Sequence, residues 1–413
     1  MSLYVPTDFG LLGTHVTWED VESALQSALG TTAHFGVNKT VTNIAEMKGF
    51  LSRIALVEPD WVRSNSEDEV LPEKFVVKIA SQLALIEIAQ LTGNVKLEKE
   101  KVPGMFSVTK DLHNREVEVY KMLGKEENSK VPHAKMYASK SFEDDADLKA
   151  YMIFEHIPNH HVPMYQCIPA EKILQVVRAV AAFSTLGEKL PEHELSFVGG
   201  SGFWEKVLKD FQDPEGNERT AALIRSSVPE EHKEVCERML KISETFYTKE
   251  TVLKNFATCS EFLGHKPVLG HCDLWNSNLL LDDEINLKVI IDFQTVSWCS
   301  PGLDLSRLFA CVLSKTERRV KKEALLQEYY DTFVKELTGK EAPYTLEQLQ
   351  DSYSLFFPIM AMIIIPGIAG LVAHSNVTDQ EQLDTAMDKL VGLMEDVIAT
   401  HESNQLKFPA FYE

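Results

Sequence analysis

VLGHCDLWNSNLLLDDEINLKVIIDFQ, residues Val268 to Gln294, sets a His, two Asp and an Asn at definite offsets between apolar runs that read as short strands. His271, Asp273 and Asn278 fill the pattern H-x-D-x-x-x-x-N, and Asp292-Phe293 follows the second apolar run, VIIDF. A plain polar hairpin could use the same His and Asp as turn and cap residues. The spacing also matches the loop of a phosphoryl-transfer enzyme, where each residue type has a job. A hydroxyl that attacks phosphorus must lose its proton, and a carboxylate such as Asp273 can accept it. Magnesium needs hard oxygen ligands, which the Asn278 amide and the Asp292 carboxylate supply while nucleotide phosphates fill other positions. His271 belongs to the same catalytic set, organising the loop by hydrogen bonds rather than doing the chemistry.

The rest of the chain is built to hold such a segment. Its 413 residues are 44% hydrophobic and 25% charged, ordinary globular values that allow one large domain or two coupled lobes. A formal net charge of -21 argues against a nucleic-acid partner and suits a cytoplasmic protein with neutral or cationic substrates. The six cysteines form no C-x-x-C pair, so neither a zinc site nor a disulfide framework is signalled. The start, MSLYVPTDFGLLG, has no basic stretch followed by an apolar run, so no secretory leader is expected. LFFPIMAMIIIPGIAGLVA, Leu355 to Ala373, is long enough for a membrane span, but it carries two prolines and no basic flanks and reads as buried helical core.

Periodicity divides the chain into two lobes, 1–156 and 157–413, with a hinge near 153–158. In the first, Thr17 and Asp20 form a capping box for a helix with Val21, Ala24, Leu25 and Ala28 on one face, ended by Gly30. Strand-like runs NKTVTNIAE, RIALVEPDW and EKFVVKIA follow, then the helix DLHNREVEVYKML, then strands HAKMYAS and KAYMIFEHI. The expected class is α+β: a small, mostly antiparallel sheet with a helix laid on it, then a large, mainly helical lobe whose last strong helix begins at Thr378.

This order supplies the other groups a nucleotide needs. A lysine on the third strand would hold the phosphates and a glutamate on the next helix would pair with it, and Lys78 and Glu116 fall there. The turn MKGFLS offers Gly49 and Ser52 to the phosphates, a thin substitute for a glycine-rich loop. Backbone groups of Glu155, His156 and Ile157, in YMIFEHIPN, would meet adenine.

These residues resemble the CHK-kinase-like or ecdysteroid-kinase-like family, including its nematode DUF1679 branch, a group related to choline kinase and aminoglycoside phosphotransferases. GFLSRIALV, HNREVEVY, GHCDLWNSNLL, and IIDFQ followed by PGLDLSRLF carry the likeness. It implies a bilobal protein-kinase-like fold, ATP and magnesium as cofactors, and a small-molecule hydroxyl acceptor. Asp304 would be a structural carboxylate behind the loop. Cys272 departs from the family's usual Gly, and FSTLGE replaces a common His-x-Ala. No lysine stands two places after Asp273 and no A-P-E occurs, which disfavours a protein substrate. A nucleotide-binding pseudokinase or regulatory module is the alternative, since the glycine loop is thin. Tyr165, Trp204, Trp298 and Phe309 are aromatic residues for an acceptor cleft or for core, and none is assigned. Nothing in the sequence speaks to oligomeric state.

Overall fold

The computed structural model describes residues 2–44, 50–63, 70–91, 97–125, 130–144, 146–200, 214–374 and 379–412. It divides into two compact units, Met1–Asn128 with His133–Pro158, and Ser129–Pro132 with Asn159–Glu413.

In the first unit, α1 (Trp18–Leu29) starts on the expected capping box. The Thr17 side chain accepts from Asp20 N while the Asp20 carboxylate accepts from Thr17 N, and Gly30 ends the helix in the left-handed region. Five strands make an antiparallel sheet in the order β2 (Thr40–Asn43), β3 (Ser52–Glu58), β5 (Phe75–Ala80), β7 (Tyr151–Glu155) and β6 (Met136–Lys140). Alternation decides what each face does. Phe75, Val77 and Ile79 are fully buried with Val21 and Leu25 of α1 in one apolar core. Val76 and Lys78 point the other way. On that second face lies α3 (Phe106–Lys125), whose Tyr120 ring meets Phe154 at 4.6 Å.

Three local departures have physical causes. RIALVEPDW is not one strand, because Pro59 cannot donate to a ladder and Asp60 turns left-handed with φ 51°. Its continuation, β4 (Trp61–Val62), pairs instead with β1 (His34–Phe35). Gly36 permits this, since a Cβ there would lie 2.2 Å from the Asp60 carbonyl oxygen. Between β5 and α3 the chain adds α2 (Leu83–Leu91), a helix whose apolar residues lack the spacing that would have announced it.

The second unit is mainly helical: α4 (Ala170–Lys189), α5 (Pro214–Ser227), α6 (Lys233–Phe246), α7 (Lys249–Phe262), α8 (Leu303–Val312), α9 (Lys315–Glu336), α10 (Leu346–His374) and α11 (Gln380–Lys407). The N-cap of α11 is Asp379, whose side chain accepts from Glu381 N; Thr378 lies outside the described residues. The apolar run of α10 packs on α5, α8 and α11, with Phe356, Ile365, Ile368 and Ala369 at 1% exposure or less. By length and composition α10 could cross a membrane, yet its apolar residues are used as core. Two short ribbons stand among the helices, β8 (Val268–Gly270) with β11 (Ser297–Cys299), and β9 (Leu279–Leu281) with β10 (Leu287–Ile290). Residues 271–278 are the loop between β8 and β9.

Lys389 of α11 is 1% exposed, and its ammonium donates to the carbonyls of Met164, Gln166 and Cys311. Cys311 is near the end of α8, so one buried charge ties α8 and the chain before α4 to α11. Burial pulls its pKa down to about 8, still charged at neutral pH. Removing it would orphan three carbonyls, so Lys389→Met should lose about 3 kcal/mol, read by urea unfolding at pH 7. The unfolded lysine titrates near 10.4. Between about pH 8 and 10 the unfolded chain alone keeps the proton, so this residue's contribution to stability should rise with pH there, and the rise should be missing from the stability curve of Lys389→Met.

Candidate active site

Gly270 ends β8 where the backbone must pass close to other groups: a Cβ there would lie 2.3 Å from Cys299 Sγ and 3.3 Å from Asp304 Oδ2. Asp304, in the first turn of α8, uses that room. Its Oδ2 accepts from His271 N at 2.7 Å and its Oδ1 from Cys272 N at 2.6 Å. Burial still pushes its carboxyl above the usual range, opposed by His271 and by the two amides.

His271 is 1% exposed and both ring nitrogens are engaged. Nδ1 faces Asp273 N at 3.3 Å and must accept, so Nε2 carries the proton and donates to the Ile291 carbonyl at 3.0 Å. Phe293 covers the ring at 4.9 Å. His271 therefore links the loop to the segment after β10 through its two ring nitrogens.

The downstream end is tied in the same way. Asn278 Nδ2 donates to the Asp273 carbonyl at 2.8 Å, and Ile291 N donates to the Asn278 carbonyl at 3.0 Å. Asp292 follows in the left-handed region, φ 66° and ψ 55°. With its nitrogen committed to Asp273, the Asn278 amide has its oxygen left for a cation. Among the described residues no group of three or more His, Cys, Asp or Glu could hold a metal. An amide and one carboxylate fit an ion that takes its other oxygens from phosphates and water, the habit of magnesium.

The first unit holds the other expected groups. Lys78 Nζ lies 2.8 Å and 2.6 Å from the two oxygens of Glu116, with side-chain exposures of 12% and 2%. The pair is placed by Lys78 standing on the sheet face that α3 covers. Ser52 begins β3, half-buried and opposite Ala80, while Gly49 lies outside the described residues. Glu155 ends β7 with its N–H given to the Lys135 carbonyl at 3.0 Å, so what it can offer a base is its carbonyl. His156 and Ile157 follow, both half-buried; burial, then the Lys74 charge, lowers the His156 pKa. Of the unassigned aromatics, Phe309 is core against Tyr353, Trp298 packs on Gly187, and Tyr165 donates to Gln382 at 2.9 Å; Trp204 lies outside the described residues.

Sequence reasoning missed Arg307. One turn beyond Asp304 on α8, it reaches Asp273 Oδ1 at 2.5 Å, with side-chain exposures of 12% and 23%. Burial would lower its pKa, and the Asp273 carboxylate outweighs that and holds it above the usual value. The signal was the D-x-x-R spacing in PGLDLSRLF, which puts both residues on one helix face.

Cys272 stands left-handed at φ 65° and is fully enclosed beside Cys299, burial first of all pushing its thiol well up. A β-branched residue tolerates that backbone worst. Cys272→Val should lower stability by about 1–3 kcal/mol. Cys272→Gly should stay within about 1 kcal/mol, since relief of the backbone offsets the lost sulfur packing; thermal unfolding of both variants checks the pair.

A family model, DUF1679, described as uncharacterized oxidoreductase dhs-27, matches residues 3–405. The uncharacterized kinase-like protein D1044.1 of Caenorhabditis elegans is 33% identical over 125 residues, 30% of this chain and 32% of that one, so the match spans about a third of that relative's length. Among solved structures, a putative aminoglycoside phosphotransferase from Ralstonia eutropha is 15% identical, with 93% of this chain and 97% of that one covered and a TM-score of 0.43. Choline kinase from Cryptosporidium parvum is 12% identical, with 91% and 94% covered and a TM-score of 0.47.

Proposed function

Because the chain belongs to the DUF1679 family, we propose that it is an ATP- and magnesium-dependent kinase acting on a hydroxyl of a small molecule, ecdysteroid- or sterol-like, choline-like or xenobiotic. The observation that carries the reading is the double tie at Asn278, which joins Asp273 by its side chain and Ile291, the neighbour of Asp292, by its backbone. Asp273, Asn278 and the segment ahead of Asp292 are thereby held in one hydrogen-bonded unit, which supports assigning them a proton acceptor and two oxygen ligands. The family description contains the word oxidoreductase, but no G-x-G-x-x-G occurs in the chain, so a dinucleotide-binding turn has no residues to build it.

In this reading Asp273 takes the acceptor's hydroxyl proton as the oxygen bonds to the γ-phosphorus and the bond to the ADP oxygen breaks. Asn278 and Asp292 would hold magnesium, which, when bound, draws off charge from the phosphate oxygens. Lys78 holds phosphate oxygens and Glu116 keeps its ammonium aimed. Ser52, and Gly49 with it, offers hydrogen bonds to the phosphates; the carbonyl of Glu155 and the backbone of His156 and Ile157 meet adenine. His271 and Asp304 hold the loop. The six cysteines are all free thiols, which supports a cytoplasmic enzyme.

The deciding experiment is ADP release by purified protein with magnesium, screened against sterols, ecdysteroids, choline, ethanolamine and hydroxylated xenobiotics. Asp273→Asn should lose turnover by about 10²–10⁴-fold and keep ATP affinity. Unchanged turnover in that variant would remove Asp273 from the chemistry. ATP binding without turnover on any acceptor would instead mark a nucleotide-binding module. Lys78→Met should weaken ATP binding, measured by calorimetry; equal affinity would assign the phosphates to another residue.

A further inference from the structure

The contact between Arg307 and Asp273 is more specific than support for a loop requires. Asp304 already fixes the backbone of residues 271 and 272, and its position one turn before Arg307 on α8 makes the two side chains act on consecutive residues of the same loop. The helix that carries them is anchored in the core: Leu303, Leu305, Leu308 and Phe309 are fully buried. Asp273 keeps a carboxylate with two chemically equal oxygens. Oδ1 takes the guanidinium at 2.5 Å, whereas Oδ2 has, among the described residues, only the Asn278 amide at 3.4 Å, a long and weak bond. A buried ion pair gives little net stability, because desolvation of both groups offsets most of the attraction. What it does give is orientation: one guanidinium nitrogen holds one carboxylate oxygen in place, and the rigid, always charged guanidinium does this better than a flexible ammonium.

Resting on the kinase reading above, we infer that Arg307 is a positioning residue: it clamps Oδ1 of Asp273 so that Oδ2 is the oxygen presented to the acceptor hydroxyl. Without the clamp the carboxylate turns about its last torsion, and Oδ2 closes on the Asn278 amide, where a hydrogen bond holds it out of use. Arg307 touches no reacting atom in this scheme. Its whole effect passes through Asp273.

That dependence sets the test, a double-mutant cycle of wild type, Arg307→Met, Asp273→Ala and the double variant. ADP release is followed with magnesium and ATP, water serving as acceptor, and urea unfolding is measured on the same four proteins. Arg307→Met should lower kcat about 10–100-fold with KM for ATP changed less than about 3-fold, and Arg307→Lys should recover part of the loss. In the Asp273→Ala background Arg307→Met should change kcat by less than about 2-fold. Two losses that multiply would mean that Arg307 acts independently of Asp273 and would overturn the proposal. Coupling seen in unfolding but absent from kcat would make the pair structural and overturn it too. Should Arg307→Met fail to fold, Arg307→Gln, which keeps the length and two donors, replaces it in the same cycle. A wild type that binds ATP yet releases no ADP, with water or any acceptor tried, brings down the kinase reading itself and this role with it; coupling confined to unfolding but with an active wild type brings down the role alone.

Discussion

One carboxylate holds the loop on which everything else depends. Asp304 is buried, accepts the amides of His271 and Cys272, and sits on a helix whose neighbouring side chains are fully enclosed. A loop that must carry several polar groups cannot be fixed by apolar packing, since its own side chains are needed elsewhere. It has to be held by its backbone. Gly270 leaves the space, Asp304 fills it, and the left-handed turn at Cys272 follows from aiming two successive N–H groups at one carboxylate. The same construction explains why the helices are so heavily buried. They are the fixed frame against which a short irregular segment can be kept still.

The first unit solves a simpler problem by simpler means. Strand alternation puts Phe75, Val77 and Ile79 on the α1 side and leaves Lys78 facing α3, where Glu116 receives it. Nothing beyond period two on a strand and a buried carboxylate on a helix is required. The cost of burying the ammonium is offset by the carboxylate held against it.

These differences explain what could be read in the sequence. The capping box at Thr17 and the strand-like run of β5 are local patterns, complete within a few residues, and each is found in the structure where the spacing put it; the H-x-D-x-x-x-x-N spacing is as local and falls on the loop between β8 and β9. The α+β class followed from the same patterns. What escaped notice was non-local or broke a pattern. RIALVEPDW looked continuous because Ile54 to Val57 form an unbroken apolar run with Trp61 close behind, but Pro59 and Asp60 end the ladder. α2 carries apolar residues on nearly every side, so it had no period to read. Arg307 was part of a quoted motif, yet its meaning depends on a carboxylate 34 residues away. Lys389 was one lysine among many until three carbonyls met around it.

The bond from Ile291 N to the Asn278 carbonyl, beside the one from His271 to Ile291, has a thermodynamic side. It makes the segment ahead of Asp292 and the catalytic loop a single mechanical body. In the proposed function, a pull on Asp292 from a bound cation would be felt through these bonds by the backbone that carries Asp273, and the reverse. Free energies of this kind are reciprocal: whatever tightens one site by a given factor is tightened by the other by that same factor. Under the proposed function, any factor by which a cation at Asp292 tightened an acceptor at Asp273 would be returned by the acceptor to the cation.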